Sequence, residues 1–264
     1  MLVFSIPKLR NLDCAEKYYA LGVYMKSTSH FAMAHLIYAS LQKRNIYLNR
    51  IAFVYGNIAP DYTPSLLVPT HFSKTCSRMT EKILNDLSQT PICSNGRVGA
   101  EYSKQLGLLC HFLCDSFCFA HNDDFTSNIK QHVAYENELD AYLRHNCLKL
   151  LDLEARNSIK LVNNCNYLIN EIEELKSDYL GSGYTLQNDL TFAFEACISA
   201  ISNIVTISKR IPAASTSIEL DDFVTSLKGF ATGDSIVFRM FYYKNRNNNI
   251  FFLPELMPPI GALS

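Results

Sequence analysis

The tightest constraint in this sequence is a set of imidazole and carboxylate side chains at helical spacing. His111, Asp115, His121, His132 and Glu136 form the pattern H-x3-D-x5-H-x10-H-x3-E within 26 residues. Residues four apart on an α-helix project from one face, one turn apart. His111 with Asp115 is one such pair and His132 with Glu136 another, while His121 falls between them, followed by Asn122, Asp123 and Asp124. Imidazole nitrogen and carboxylate oxygen are ligands of catalytic zinc, and two helices offering such pairs toward each other can close a site. Taken alone, either pair is commonly a surface hydrogen bond or ion pair. The first, however, lies among Leu106, Leu108, Leu109, Phe112, Leu113, Phe117 and Phe119. Burying Asp115 there without a partner is costly, and a metal ion supplies that partner.

The pattern needs helices, and the rest of the chain predicts them. Apolar spacing marks helices over 31–44, 46–55, 72–87, 98–119, 127–151, 154–179 and 187–209, with Ser27, Thr28 and Ser29 as N-cap candidates before the first. Pro60, Pro64 and Pro69 predict a loop over 57–70, and Ser94-Asn95-Gly96 and Gly181-Ser182-Gly183 mark junctions. After Gly229 the pattern weakens: 235–243 (SIVFRMFYY) reads as a buried helix or a strand, and the proline-containing end as irregular. No low-complexity linker divides the 264 residues, 48% of them hydrophobic, so the expectation is an all-α, multi-helix single domain over 1–264. A formal net charge of −1 provides no basic field, and no duplex nucleic acid is expected as partner. Nine cysteines without a compact spacing argue against a disulfide framework. Met1–Arg10 lacks the layout of a secretory signal and no run of about 18 apolar residues reads as a membrane span. A cytoplasmic setting is therefore expected, or a secreted one if the N-terminus is incomplete.

The segment LGLLCHFLCDSFCFAHNDDFTSNIKQHVAYENELD resembles the core of the zinc-dependent phospholipase C family, whose His-x3-Asp-x5-His spacing it keeps. That family includes phosphatidylcholine-preferring enzymes and the catalytic domain of clostridial alpha-toxins. Its fold and trinuclear zinc site are shared with single-strand-specific zinc nucleases, which typically place Asp where this chain has Glu136. Three further positions extend the match. His30 follows Ser29 as the first family histidine does at a helix start, with His35 as fallback; Asp61 lies in APDY; His71 follows ten residues later. The resemblance implies one zinc held by Asp61, His71, His111 and Asp115, and a second by His121, His132 and Glu136. A third would be held by His30 with Asp115 bridging, for two or three ions in all. Relatives complete the third site with an N-terminal tryptophan; this chain has no tryptophan and 29 residues precede His30, with 1–24 a candidate extension.

The implied activity is hydrolysis of a phosphodiester or phospholipid head group, with candidate peripheral membrane contact. Zinc ions a few ångströms apart bind phosphate oxygens and acidify water. Asp61 is a candidate general base as well as a ligand. Tyr62 is a candidate contact to a choline-like ammonium through its ring face, and an ordinary loop tyrosine is equally compatible. Cys110, Cys114 and Cys118 form a stripe about 100° around the helix from the His111–Asp115 face; thiolates also bind zinc, but packing is the expected role. Alternatives are a single-strand nuclease or phosphatase on the same metal core, and a zinc-binding protein without turnover.

Overall fold

A computed structural model describes residues 14–62, 73–92, 98–126, 128–154 and 159–209. Among them are seven α-helices and no strands: α1 (Cys14–Lys43), α2 (Arg50–Ile58), α3 (Ser73–Ser88), α4 (Ala100–Ser116), α5 (Ile129–Glu154), α6 (Cys165–Gly181) and α7 (Leu186–Ser208). Short 3-10 turns follow α2 (Ala59–Tyr62) and precede α5 (Phe119–His121). The all-α expectation holds. Met1–Arg10, Ser94-Asn95-Gly96 and everything expected after Lys209 lie outside the described residues.

The core lies around α4. It packs on α2, α3 and α7, while α5 closes against α1 and α7, and α6 against α7. Leu106, Leu109, Phe112, Leu113 and Phe117 on or just after α4, Phe53 on α2, and Ile201 and Ile204 on α7 are wholly or almost wholly buried. Helix α7 is long and apolar enough to cross a membrane, but 72% of its most apolar window is buried inside the fold, as in a core helix.

The approach of α2 to α4 depends on two glycines. A Cβ on Gly56 would lie 2.0 Å from the Lys104 carbonyl oxygen, and one on Gly107 would lie 2.1 Å from that of Phe53. No side chain fits at either place, so backbone meets backbone here.

Several helix ends differ from the sequence expectation. Helix α1 begins at Cys14, so Ser27, Thr28 and Ser29 are interior rather than caps, and His30 sits mid-helix. Ser29 instead donates from Oγ to Asp140 on α5, at 3.2 Å. The helix ends in a Schellman turn: Asn45 takes φ 58° and the Ile46 N–H reaches back to the Leu41 carbonyl. Helix α2 starts at Arg50 rather than 46, because Asn49 caps it by accepting from the Ala52 N–H at 3.1 Å. The loop expected from 57 is helical through 62: Pro60 stands in the first turn of the 3-10 segment, where its missing N–H is not needed. Helix α4 stops at Ser116, short of 119, and α6 starts at Cys165, not 154. Asn164 caps α6, and Asn203 of α7 holds the preceding strip extended through the Val162 N–H and the Lys160 carbonyl.

Candidate metal centre

Five elements bring the chemistry together. On α4, His111 Nε2 lies 3.4 Å from Asp115 Oδ2, and on α5 His132 Nε2 lies 2.9 Å from Glu136 Oε1. His121, in the 3-10 turn between them, touches both pairs: Nδ1 is 3.4 Å from Asp115 Oδ1 and Nε2 is 3.0 Å from Glu136 Oε1. From α1, His30 Nε2 comes within 3.1 Å of Asp115 Oδ1. Asp61 enters from the turn after α2 and is buried. The rings stack in two pairs, His30 on His111 at 4.1 Å and His121 on His132 at 5.0 Å.

The donors fall into two groups, His30–Asp61–His111 and His121–His132–Glu136, within each of which the ligand atoms lie within 4.8 Å of one another. Asp115 stands between the groups. The separations near 3.4 Å around it match the edge, about 3.4 Å, of a tetrahedron with bonds of zinc–imidazole length. Three buried carboxylates among imidazoles need cationic compensation. A cavity of about 40 Å³ lined by His30, Asp115, His121 and Glu136 gives an ion and its water room. The donor set therefore fits zinc.

The His111 tautomer supports the same reading, and the carboxylates around His30 favour a cation there. His111 Nδ1 is 2.9 Å from the Asn57 carbonyl oxygen, which only accepts, so Nδ1 carries the proton and Nε2 presents its lone pair to the cluster. Burial opposes a charge on His30, but the hydrogen bond to Asp115, the contact with Cys114 and the charges of Asp115 and Asp61 outweigh it. Its pKa lies well above the ordinary histidine value.

Other candidates resolve differently. His35, the fallback for His30, is packed edge-on against Phe31 and accepts from the Arg50 guanidinium at 3.3 Å, away from both groups. Burial, with Arg50 adding to it, pushes its pKa down to about 3. His71 and the side chain of Tyr62 lie outside the described residues. Cys110 and Cys114 pack against Cys197, the Cys114 and Cys197 sulfurs 3.9 Å apart, and all three are free thiols. Cys114 and Cys118 also line the cavity, so the stripe is nearer the site than its helical offset suggests. Asp123 and Asp124 are exposed and stand apart from the cluster, facing Lys74 and Tyr184.

Residues that the sequence pattern did not single out surround this centre. Asp140, one turn beyond Glu136, accepts from Ser29 and pairs with Arg144 at 2.6 Å, tying α1 to α5 beside His30. Its i+4 spacing from Glu136 was the available signal. Asp189 on α7 has no such local signal.

No curated protein and no solved structure matches the chain. The family model for zinc-dependent phospholipase C matches residues 29–186, from the turn of α1 before His30 to the first residue of α7. That span is more than half of the sequence and carries every ligand candidate above: the chain belongs to the zinc-dependent phospholipase C family.

Proposed function

We propose that this protein is a zinc-dependent hydrolase of phosphodiesters of the phospholipase C type, built as one domain over 1–264. The observation that carries this reading is the pair of buried histidine–carboxylate groups joined at Asp115, in a chain of this family. His30, Asp61, His71, His111 and Asp115 would hold zinc on one side and His121, His132 and Glu136 on the other, for two or three ions. Bound there, zinc would supply Lewis-acid polarisation of the phosphoryl oxygens and a lowered pKa for water.

The chain's own residues do the rest. Asp115 has both oxygens committed, Oδ1 toward His30 and His121 and Oδ2 toward His111, and so fixes the two groups relative to each other. The Asn57 carbonyl fixes the His111 ring and its tautomer. Asp61 would take a proton from an attacking water as well as ligate metal, a role supported by its burial beside His30 and His111. Met33, Phe117, Leu139 and Leu190 wall the cavity with apolar surface, which strengthens every charge interaction inside it.

The test is one purification with zinc analysis, then assays on a chromogenic phosphocholine diester, single-stranded DNA and a phosphomonoester. Zinc-loaded protein should hydrolyse the diester, and Asp115→Asn should abolish turnover. Preference for single-stranded DNA or the monoester selects the nuclease or phosphatase alternative. Protein holding at least two zincs and turning over none of the three refutes the hydrolase reading.

A further inference from the structure

The ligand run contains a geometric problem that α4 solves by stopping. His121 lies six residues after Asp115; on a continuous helix it would point about 240° around the axis from it. The chain leaves the helix at Ser116 and re-forms a 3-10 turn at Phe119–His121, which brings His121 Nδ1 to 3.4 Å from Asp115 Oδ1. No proline or glycine lies between 116 and 122 to cause the break.

The backbone groups freed by that break are held by side chains from distant helices. Lys176 of α6, only 8% exposed, donates from Nζ to the Ser116 carbonyl and to Asn122 Oδ1 at 2.8 Å. Asn122 Nδ2 in turn donates to the Cys118 carbonyl at 3.0 Å and to Tyr179 Oη at 3.3 Å. Asp189 of α7, 1% exposed, accepts the Phe119 N–H at 2.8 Å on Oδ2 and also the hydroxyl of Tyr135 at 2.7 Å. Its Oδ1 accepts the Tyr179 hydroxyl at 2.8 Å. Lys176 further lies over the Tyr179 and Phe117 rings. Bringing a lysine and an aspartate into the core is expensive, and this pair converges on one short turn.

We propose that Lys176 and Asp189 are positioning residues that hold the 116–122 turn in the shape that gives His121 to the metal centre. This rests on the zinc reading above. Partners behind a metal ligand set its orientation, and losing one typically costs about 10–100-fold in metal affinity. Here the control passes through backbone rather than through the imidazole itself, since both His121 nitrogens already face Asp115 and Glu136.

The experiment compares wild type with Asp189→Asn and Lys176→Met, and with Tyr179→Phe, which keeps the ring packing and deletes only the hydroxyl joining Asp189 to Asn122. Each is titrated with zinc against a chromophoric competitor, and with cobalt(II), whose visible spectrum reports ligand geometry. Helix content is followed by circular dichroism. Folded variants should lose about 10–100-fold in affinity for one ion, with an altered cobalt spectrum, and keep wild-type affinity for the other. Tyr179→Phe should do the same more weakly and decides the matter if the charged-site variants do not fold. Wild-type affinity and spectrum at both sites in any folded variant overturns the proposal, as does an equal loss at both. Wild-type protein that takes up no zinc overturns the metal reading itself and this inference with it.

Discussion

Placing one methyl group at Gly107 probes how the fold carries His111. Gly107 sits one turn before His111 on α4, and its added Cβ would lie 2.1 Å from the Phe53 carbonyl oxygen, against an ordinary contact of 3.4 Å or more. Both partners are backbone, so Gly107→Ala must push α2 and α4 apart by about 1 Å. That shift stretches the 2.9 Å bond from His111 Nδ1 to the Asn57 carbonyl beyond hydrogen-bonding range. Overpacking of this kind costs about 1–3 kcal/mol, and the buried hydrogen bond adds about 1 kcal/mol. At roughly 2–4 °C per kcal/mol for a chain of this size, Tm should fall on the order of 10 °C. Zinc affinity should fall with it, because the ring loses the partner that fixes its tautomer. Thermal melts by circular dichroism and a competitive zinc titration read the two effects. Gly181→Ala is the control: a Cβ there meets nothing within 4 Å. A Gly107→Ala protein with the Tm and zinc affinity of wild type would refute the argument that backbone contact between α2 and α4 positions His111.

Two further outcomes are expected. His35 has its pKa pushed to about 3 in the fold, below the unfolded value of 6.5, so the unfolded chain binds the extra proton between those values. Its contribution to stability is complete above about pH 6.5 and is lost as pH falls toward 3, at no more than about 1.4 kcal/mol per pH unit. His35→Leu should flatten the stability-versus-pH slope between pH 6 and 4 in denaturant titrations; an unchanged slope rules out His35 as the source. Zinc-loaded protein stripped with excess chelator should melt about 5–10 °C lower, since ligand at about a hundredfold over Kd adds about 2.7 kcal/mol; coincident melts would mean that folding does not use the metal.

The five-residue core was legible because its two pairs obey the i,i+4 rule, the first of them among apolar residues, and the fold class was legible from the apolar spacing of the helices. His30 was found from its motif, but its place in the middle of α1 was not, since Ser27–Ser29 carry the chemistry of caps without serving as caps. The end of α4 could not be read locally: Lys176 and Asp189, 60 and 70 residues from the groups they hold, end it. The Gly56–Gly107 contact escaped because Gly56 reads as the stop of a helix ending at 55 and Gly107 as a lone glycine in a helical pattern, and only their facing gives them meaning. Asn49 and Asn164, both inside helices expected from apolar spacing, instead set two helix starts by side-chain capping.

The 3-10 turn that sets His121 between two helices also bears on the order in which the site assembles. His121 and Glu136 are separated by 15 positions, whereas His30 and Asp115 are separated by 85. Chain-closure entropy grows with the logarithm of loop length, so the longer closure costs about 1.5 kcal/mol more. The His121–His132–Glu136 half has the shorter closure, yet it still needs α6 and α7, whose Lys176 and Asp189 shape the turn that carries His121. The half that draws His30 from α1 and Asp61 from the end of α2 waits for the rest of the chain. Zinc present during folding would then report the assembled chain at both halves rather than template a part of it.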